Sequence, residues 1–180
     1  MTEPVIFPEI EIRNAEKLWD NRGYLVQPTL PMPIVHQFMT YSTQNVIRGL
    51  HWQTEPFETW KIVYPINGTI YDVVVDIRKG SETFGKWMGY YLRFNSPKQI
   101  DCVCIPPGFA HGFRVNSQDV LVMYNYSNIW VQSSVKTLLW NDKDIGIDWH
   151  ITAPYNDIII SENDAKGMTL NEYKQELDRG

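Results

Sequence analysis

Between Thr59 and Ser127 the chain is written in short β-rich runs, each closed by turn residues, and this rhythm limits its fold more than any other feature. The run "TWKIVYPI" ends at Asn67-Gly68, a dipeptide suited to the two-residue turn of a β-hairpin, and "TIYDVVVDI" follows it. "RKGSETFG" breaks the chain, "KWMGYYLRF" resumes extended structure and "NSPKQ" turns it again; "IDCVCIP", "GFRVN" and "VLVMYNYS" continue the series. Runs of this length and spacing predict an all-β sandwich or barrel rather than βαβ units, because long stretches of helical period are scarce. At the C-terminal end, "TLNEYKQELDRG" is helix-compatible, with Thr169 or Asn171 as its N-cap, and predicts a short surface helix.

With 180 residues, 43% hydrophobic and 21% charged, the chain reads as one domain over residues 1–180, large enough to bury its own core. No repeat, low-complexity tract or linker divides it. Aromatic residues reach 13%, which suits a β-rich core or a pocket that stacks flat ligands. A net charge of −5 argues against a nucleic-acid-binding surface, since nothing would offset phosphate repulsion, but leaves room for a local basic pocket. Cys102 and Cys104 in "DCVCIPP" point to one face of a strand, where a disulfide would be strained. Buried free thiols are expected, and with them a cytoplasmic location. "MTEPVIFPEIEI" lacks the basic-then-apolar pattern of a signal peptide, and no apolar run approaches the roughly 20 residues of a membrane helix, so no membrane role is expected.

Of the four histidines, His36, His51, His111 and His150, two sit in informative settings. "VIRGLHWQTEPFETWKIV" places His51 between Arg48 and Lys61 in a run crowded with large apolar residues. A histidine in a β-sheet is often only a hydrogen-bonded core residue; one between two cations is also placed to act as a base. His111 lies in "CIPPGFAHGFRVN", where Pro106, Pro107 and Gly108 make a tight corner that aims the following strand. The order P-x-G-x-x-H resembles the second motif of cupin barrels. His51 takes the place of the first, which reads H-x-H followed by Glu and Gly, but Gln53 replaces its second histidine. The usual cupin set of three nitrogens and a carboxylate is therefore incomplete. His51, Glu58 and His111 are what remains for a metal, and the metal-free reading is preferred.

"VIRGLHWQ", "GTIYDVVVDIRKGSETFGKW", "IPPGFAHGF" and "WNDKDIGIDW", with the leading "WDNRGY" and the trailing "ISENDAKG", resemble in order the signature segments of the dTDP-4-dehydrorhamnose 3,5-epimerase family. They cover nearly the whole chain. The resemblance implies a cupin-like double-stranded β-helix, or jelly roll, with short peripheral helices. It also implies a homodimer, to which the apolar "PVIFPEIEI" is suited to supply an exchanged edge strand. The implied activity is that of an isomerase on a nucleoside-diphosphate-linked 4-keto sugar, in deoxysugar or heptose biosynthesis, with no cofactor and no metal. In such a sugar the ketone acidifies the hydrogens on C3 and C5. A base removes one to give an enolate, and an acid returns a proton to the opposite face. By resemblance His51 is the base, Asp164 in "ISENDAKG" orients it, Lys61 stands near the enolate oxygen and Tyr124 is the proton donor. Read without the family, Lys61 is a surface strand lysine and Tyr124 a core aromatic, and Tyr126 shares the face of Tyr124. The even spacing of His51 and Lys61 would put them on one face of a strand, although Pro56 interrupts the count. Arg22 and Arg48 match arginines that contact the substrate, and His111 a histidine near the reacting sugar.

The departures from the family pattern cluster. Gln27 stands for a carboxylate, Phe38 for an asparagine, Trp130 for a tyrosine that stacks on thymine, Lys136 for a glutamate and Asn163 for a lysine. These positions belong to nucleotide recognition or to the edge of the sugar site; Gln27, Trp130 and Asn163 are taken as substrate-binding. The expectation is retained chemistry on an altered nucleotide, CDP or GDP, or an altered sugar, deoxyhexose or heptose. A single-site epimerase or keto-sugar isomerase on the same scaffold, a non-catalytic sugar-nucleotide-binding cupin and a metal-dependent cupin are the alternatives.

Overall fold

Along most of the β-rich runs apolar residues alternate or fill both faces, and the way each run is buried decides where its strand lies. The computed structural model describes residues 5–28, 31–94, 98–152 and 157–179. The turn expected at "NSPKQ" rests on residues 95–97 and lies outside the described residues. The elements are β1 (Glu11–Asp20), β2 (Gly23–Val26), β3 (His36–Thr43), β4 (Ile47–Gln53), β5 (Lys61–Asn67), β6 (Thr69–Asp76), β7 (Trp87–Arg93), β8 (Gln99–Ile105), β9 (Phe109–Val115), β10 (Asp119–Tyr126), β11 (Val135–Thr137), α1 (Glu162–Ala165) and α2 (Leu170–Arg179). They form a six-stranded sheet in the order β2-β1-β8-β5-β10-β3 and a five-stranded sheet in the order β11-β4-β9-β6-β7. The paired strands are antiparallel, and the two sheets face each other as the cupin-like jelly roll that the sequence predicts.

β6 shows why its sequence is an almost unbroken apolar run: both of its faces are covered. Ile70 and Val74 point between the sheets and meet Val63, Val103, Val120 and Val122 of the opposite sheet. Tyr71, Val73 and Val75 point outward, where Leu138, Trp140, Ile145, Trp149 and Tyr173 of the C-terminal segment cover them. α2 completes that cover. Thr169 rather than Asn171 caps it: Glu172 N–H donates to Thr169 Oγ1 at 3.2 Å and Thr169 N–H to Glu172 Oε2 at 2.7 Å, a reciprocal pair. Cys102 and Cys104 are free and buried beside Ile62. Among the described residues no helix is long and apolar enough to cross a membrane.

One turn is not what its residues predict. β5 and β6 lie in different sheets, so Asn67-Gly68 turns a corner between layers instead of closing a hairpin. Gly68 has φ +70°, and a Cβ there would lie 2.4 Å from Asp119 O. Asn67 Nδ2 donates to Asp119 Oδ1 at 3.0 Å. The dipeptide supplies the left-handed backbone that a hairpin would also use, and only the distant partner strands decide between the two.

Candidate active site

Toward one end the sheets leave a cavity of about 170 Å³, lined by Phe38, Thr40, Arg48, His51, Lys61, His111, Gly112, Tyr124, Tyr126 and Trp130. Its geometry begins with a break in a ladder. Arg48 and His51 are three apart and on a regular strand would face opposite sides, but the β4–β9 register slips between them, and both reach the cavity. Gly49 and Gly112 allow the slip. Gly49 has φ +107°, and a Cβ there would lie 2.6 Å from Gly112 Cα and from His111 O. Released from the ladder, Gly49 N–H donates to Asp164 Oδ2 at 3.0 Å.

Asp164 arrives on α1, a single turn whose N-cap Ser161 accepts from Asp164 N at 3.1 Å. Its Oδ1 lies 2.7 Å from His51 Nε2. Burial alone would raise this carboxyl, but hydrogen bonds from His51, the Gly49 N–H and Ser161 outweigh it and hold the group below the usual carboxylate range. An ionised carboxylate only accepts, so Nε2 carries the ring proton and Nδ1 is left as the basic nitrogen of a neutral His51.

Lys61 faces His51 from the other sheet. Its Nζ donates to His51 O at 2.7 Å, and the residue is 3% exposed. Burial pulls its pKa down to about 7, partly opposed by the charge of Asp72. The even-spacing count from His51 therefore has no bearing, because the two residues sit on β4 and β5 of opposite sheets. Nor is Lys61 a surface lysine. Tyr124 and Tyr126 on β10 are both buried, and burial pushes both phenols well up, so they stand as proton-bearing groups. Phe38 stacks on Tyr124 at 4.7 Å between centroids, and Trp130 meets Phe38 edge-on at 5.6 Å, completing an aromatic wall. Arg48 is anchored by Ser42 Oγ at 2.8 Å and Tyr41 O at 3.1 Å.

Behind this group lies a second pair, His111 Nε2 and Asp72 Oδ2 at 2.8 Å. Neither Asp72 nor Thr40 was singled out from the sequence. Asp72 had a signal, a carboxylate inside the apolar "TIYDVVVDI", where a buried charge needs a partner. Thr40, whose buried hydroxyl lies beside the Tyr124 phenol, had none.

Three predicted substrate-binding residues lie outside the cavity. Arg22 is exposed at the β1–β2 turn and paired with Asp20 at 2.5 Å. Gln27 lines a surface cleft with Arg13, Glu16 and Cys102, and Asn163 an outer groove with Lys136 and Lys166. A single chain thus gathers His51, Asp164, Lys61, Tyr124, Arg48, His111 and Trp130, but not these three. Among the described residues no three His, Cys, Asp or Glu side chains gather to hold a metal ion, and Glu58 is exposed.

A base with an orienting carboxylate, a buried ammonium and buried phenols around one cavity is a set suited to moving protons next to a carbonyl. Comparison with known proteins narrows this. The family described as dTDP-4-dehydrorhamnose 3,5-epimerase matches residues 13–172. The dTDP-4-dehydrorhamnose 3,5-epimerase of Shigella flexneri is 41% identical over 171 residues, covering 89% of this chain and 91% of that one. That of Methanothermobacter thermautotrophicus is 36% identical over 170 residues, covering 89% of each. The crystal structure of the dTDP-6-deoxy-D-glucose-3,5-epimerase from Legionella pneumophila Philadelphia 1 in complex with dTDP-4-keto-L-rhamnose is similar with a TM-score of 0.86 at 29% identity, covering 97% of this chain and 94% of that one.

Proposed function

The chain belongs to the dTDP-4-dehydrorhamnose 3,5-epimerase family, isomerases of nucleotide-linked 4-keto sugars, and from that premise we propose that it inverts C3, C5 or both by His51-base and Tyr124-acid chemistry. The observation that carries the reading is the His51–Asp164 pair, 2.7 Å apart, with Lys61 and Tyr124 on the walls of the same cavity. His51 Nδ1 takes the proton from the carbon beside the ketone. The C–H electrons move into a C=C bond and the carbonyl π electrons to oxygen. Asp164 steadies the imidazolium, and the Lys61 ammonium faces the enolate oxygen. Tyr124 then returns a proton to the other face of the carbon, and His51 re-protonates the phenolate.

The nucleotide we propose is dTDP. The relatives are named for it, and Trp130, the departure at the stacking position, keeps a flat face for thymine. Of the departures behind the CDP or GDP expectation, Phe38 and Trp130 line this cavity and both keep an aromatic face there, whereas Lys136 and Asn163 line an outer groove. We further propose a cytoplasmic homodimer. Leu18, Trp19 and Leu25 expose 52%, 59% and 55% of their surface on the hairpin that also carries Arg22 and Gln27. A second copy would cover this patch and take the two polar residues toward its own pocket.

The test is proton NMR in deuterated water with 4-keto-6-deoxyhexoses linked to dTDP, CDP and GDP. Deuterium entering C3 or C5, fastest with dTDP, is the expected result. Faster exchange with CDP or GDP overturns the nucleotide assignment, and no exchange with any of them overturns the epimerase reading in favour of a sugar-nucleotide-binding protein.

A further inference from the structure

Gln53 stands two residues after His51 on the same face of β4, at the position where the cupin pattern has its second histidine. It is 4% exposed, and its amide is fully engaged. Nε2 donates to Phe57 O at 2.7 Å and to Ile129 O at 3.1 Å. Oε1 accepts from Val131 N–H at 2.8 Å. Ser134 Oγ also lies 3.3 Å from Oε1, although its proton is nearer Val131 O at 2.7 Å. The amide orientation is fixed by chemistry, since two carbonyls can only accept and a backbone N–H can only donate.

These bonds grip the chain immediately before and after Trp130. Residues 127–131 belong to no helix or strand, so no ladder holds the indole in place. The Trp130 ring packs against the core cluster, its centroid 5.6 Å from that of Phe38 and 5.8 Å from that of Tyr126. Through Phe57 O the same amide ties in the loop after β4, and Asn128 Nδ2 adds bonds to Pro56 O at 3.3 Å and Glu58 O at 3.2 Å.

We infer that Gln53 is a positioning residue that fixes Trp130 relative to His51 and thereby sets affinity for the nucleotide end of the substrate. This rests on the reading of Trp130 as the surface on which the base stacks. A histidine at 53 offers one donor and one acceptor when neutral and cannot serve two carbonyls and an N–H at once. The residue that leaves the cupin ligand set incomplete is thus the one that builds the pocket wall. Because Gln53 and His51 share a strand, the wall and the base keep a fixed spacing.

The test compares Gln53→Glu, Gln53→Met and Trp130→Ala in steady-state epimerisation of the dTDP-linked 4-keto-6-deoxy sugar and in calorimetric binding of TDP. Gln53→Glu keeps size and the acceptor but turns an anion on two carbonyl oxygens; Gln53→Met keeps size without polarity. The expected result for both is a KM and a TDP Kd raised about tenfold or more, about 1.4 kcal/mol, with kcat within about threefold. A folded Gln53→Glu or Gln53→Met with unchanged KM and Kd overturns the inference, as does a fall in kcat at constant KM. If neither variant folds, Gln53 serves the stability of the barrel and the assignment is likewise overturned. Trp130→Ala separates the two layers of argument. Unchanged TDP affinity there removes the stacking reading itself, while a weakened Trp130→Ala beside an unaffected Gln53→Glu removes only the role of Gln53.

Discussion

His51 and His111 stand opposite each other in the β4–β9 ladder, and each holds an aspartate through Nε2, at 2.7 and 2.8 Å, yet the two pairs are built differently. His51 has a third of its side chain exposed, and its carboxylate comes from α1, far along the chain. Both oxygens of that carboxylate are used, one on the ring and one on the Gly49 N–H. His111 and Asp72 are sealed, at 4% and 0%, and belong to neighbouring strands of one sheet. Asp72 also faces the buried Tyr90 phenol, whose pKa rises with burial and with the charge and hydrogen bond of that carboxylate. An exposed ring with a saturated orienting carboxylate can exchange a proton with something in the cavity. A sealed pair whose carboxylate also faces the Tyr90 phenol acts as fixed wall and charge at the edge of the same cavity.

The strongest way to break this contrast is to remove each ring. His51→Ala is expected to lower kcat by about 10³-fold or more, about 4 kcal/mol in barrier, with a melting temperature within a few degrees of the parent. Deuterium exchange into the substrate should vanish with it. Retention of exchange within tenfold would assign the base elsewhere. Asp164→Asn is the next largest, about 10²-fold in kcat, because an amide can donate to Nε2 and hold the ring in the wrong tautomer. An unchanged kcat in Asp164→Asn would reduce that carboxylate to a structural contact.

How the two pairs were read from sequence follows the same division. The strands after Thr59 were legible from alternation and turn residues, because burial on one or two faces leaves a local trace. β3 and β4 were not singled out by rhythm, since β4 is interrupted by the glycine bulge that aims His51. Asn67-Gly68 was misread because a corner and a hairpin ask the same φ of the chain. His51, Asp164, Lys61 and Tyr124 were placed only by resemblance. Nothing local in "ISENDAKG" says that Asp164 meets a ring 113 residues earlier. Arg22, Gln27 and Asn163 were named for the site by the same route, and a single chain does not bring them there. Gln53 was noted only as a missing ligand, since its partners flank Trp130 and lie 76 and 78 residues away.

The sealed pair predicts a loss of stability rather than of proton transfer. His111→Leu takes a hydrogen-bond partner from the fully buried Asp72 carboxyl and should cost about 2 kcal/mol in urea denaturation. Replacing both residues, Asp72→Leu with His111→Leu, should recover part of that loss, because no buried carboxyl then lacks its imidazole and only the Tyr90 phenol loses a neighbour. A double variant less stable than the His111→Leu single would mean that the pair does not act as a unit.

The smallest effect links the two regions through Lys61. Burial brings its folded pKa from 10.5 to about 7, so between those values the folded protein binds fewer protons than the unfolded chain. Stability therefore rises with pH across that window, and the cost of burying the ammonium is complete below it. The charge of Asp72 opposes the depression, and removing it in Asp72→Asn should move the lower edge of the window down. Urea denaturation from pH 6 to 10 measures this, with Lys61→Met as the reference that lacks the dependence altogether. If the parent and Lys61→Met show parallel pH curves, Lys61 is not held near neutrality. If instead Asp72→Asn raises the lower edge, the sealed carboxylate is not the charge that Lys61 feels.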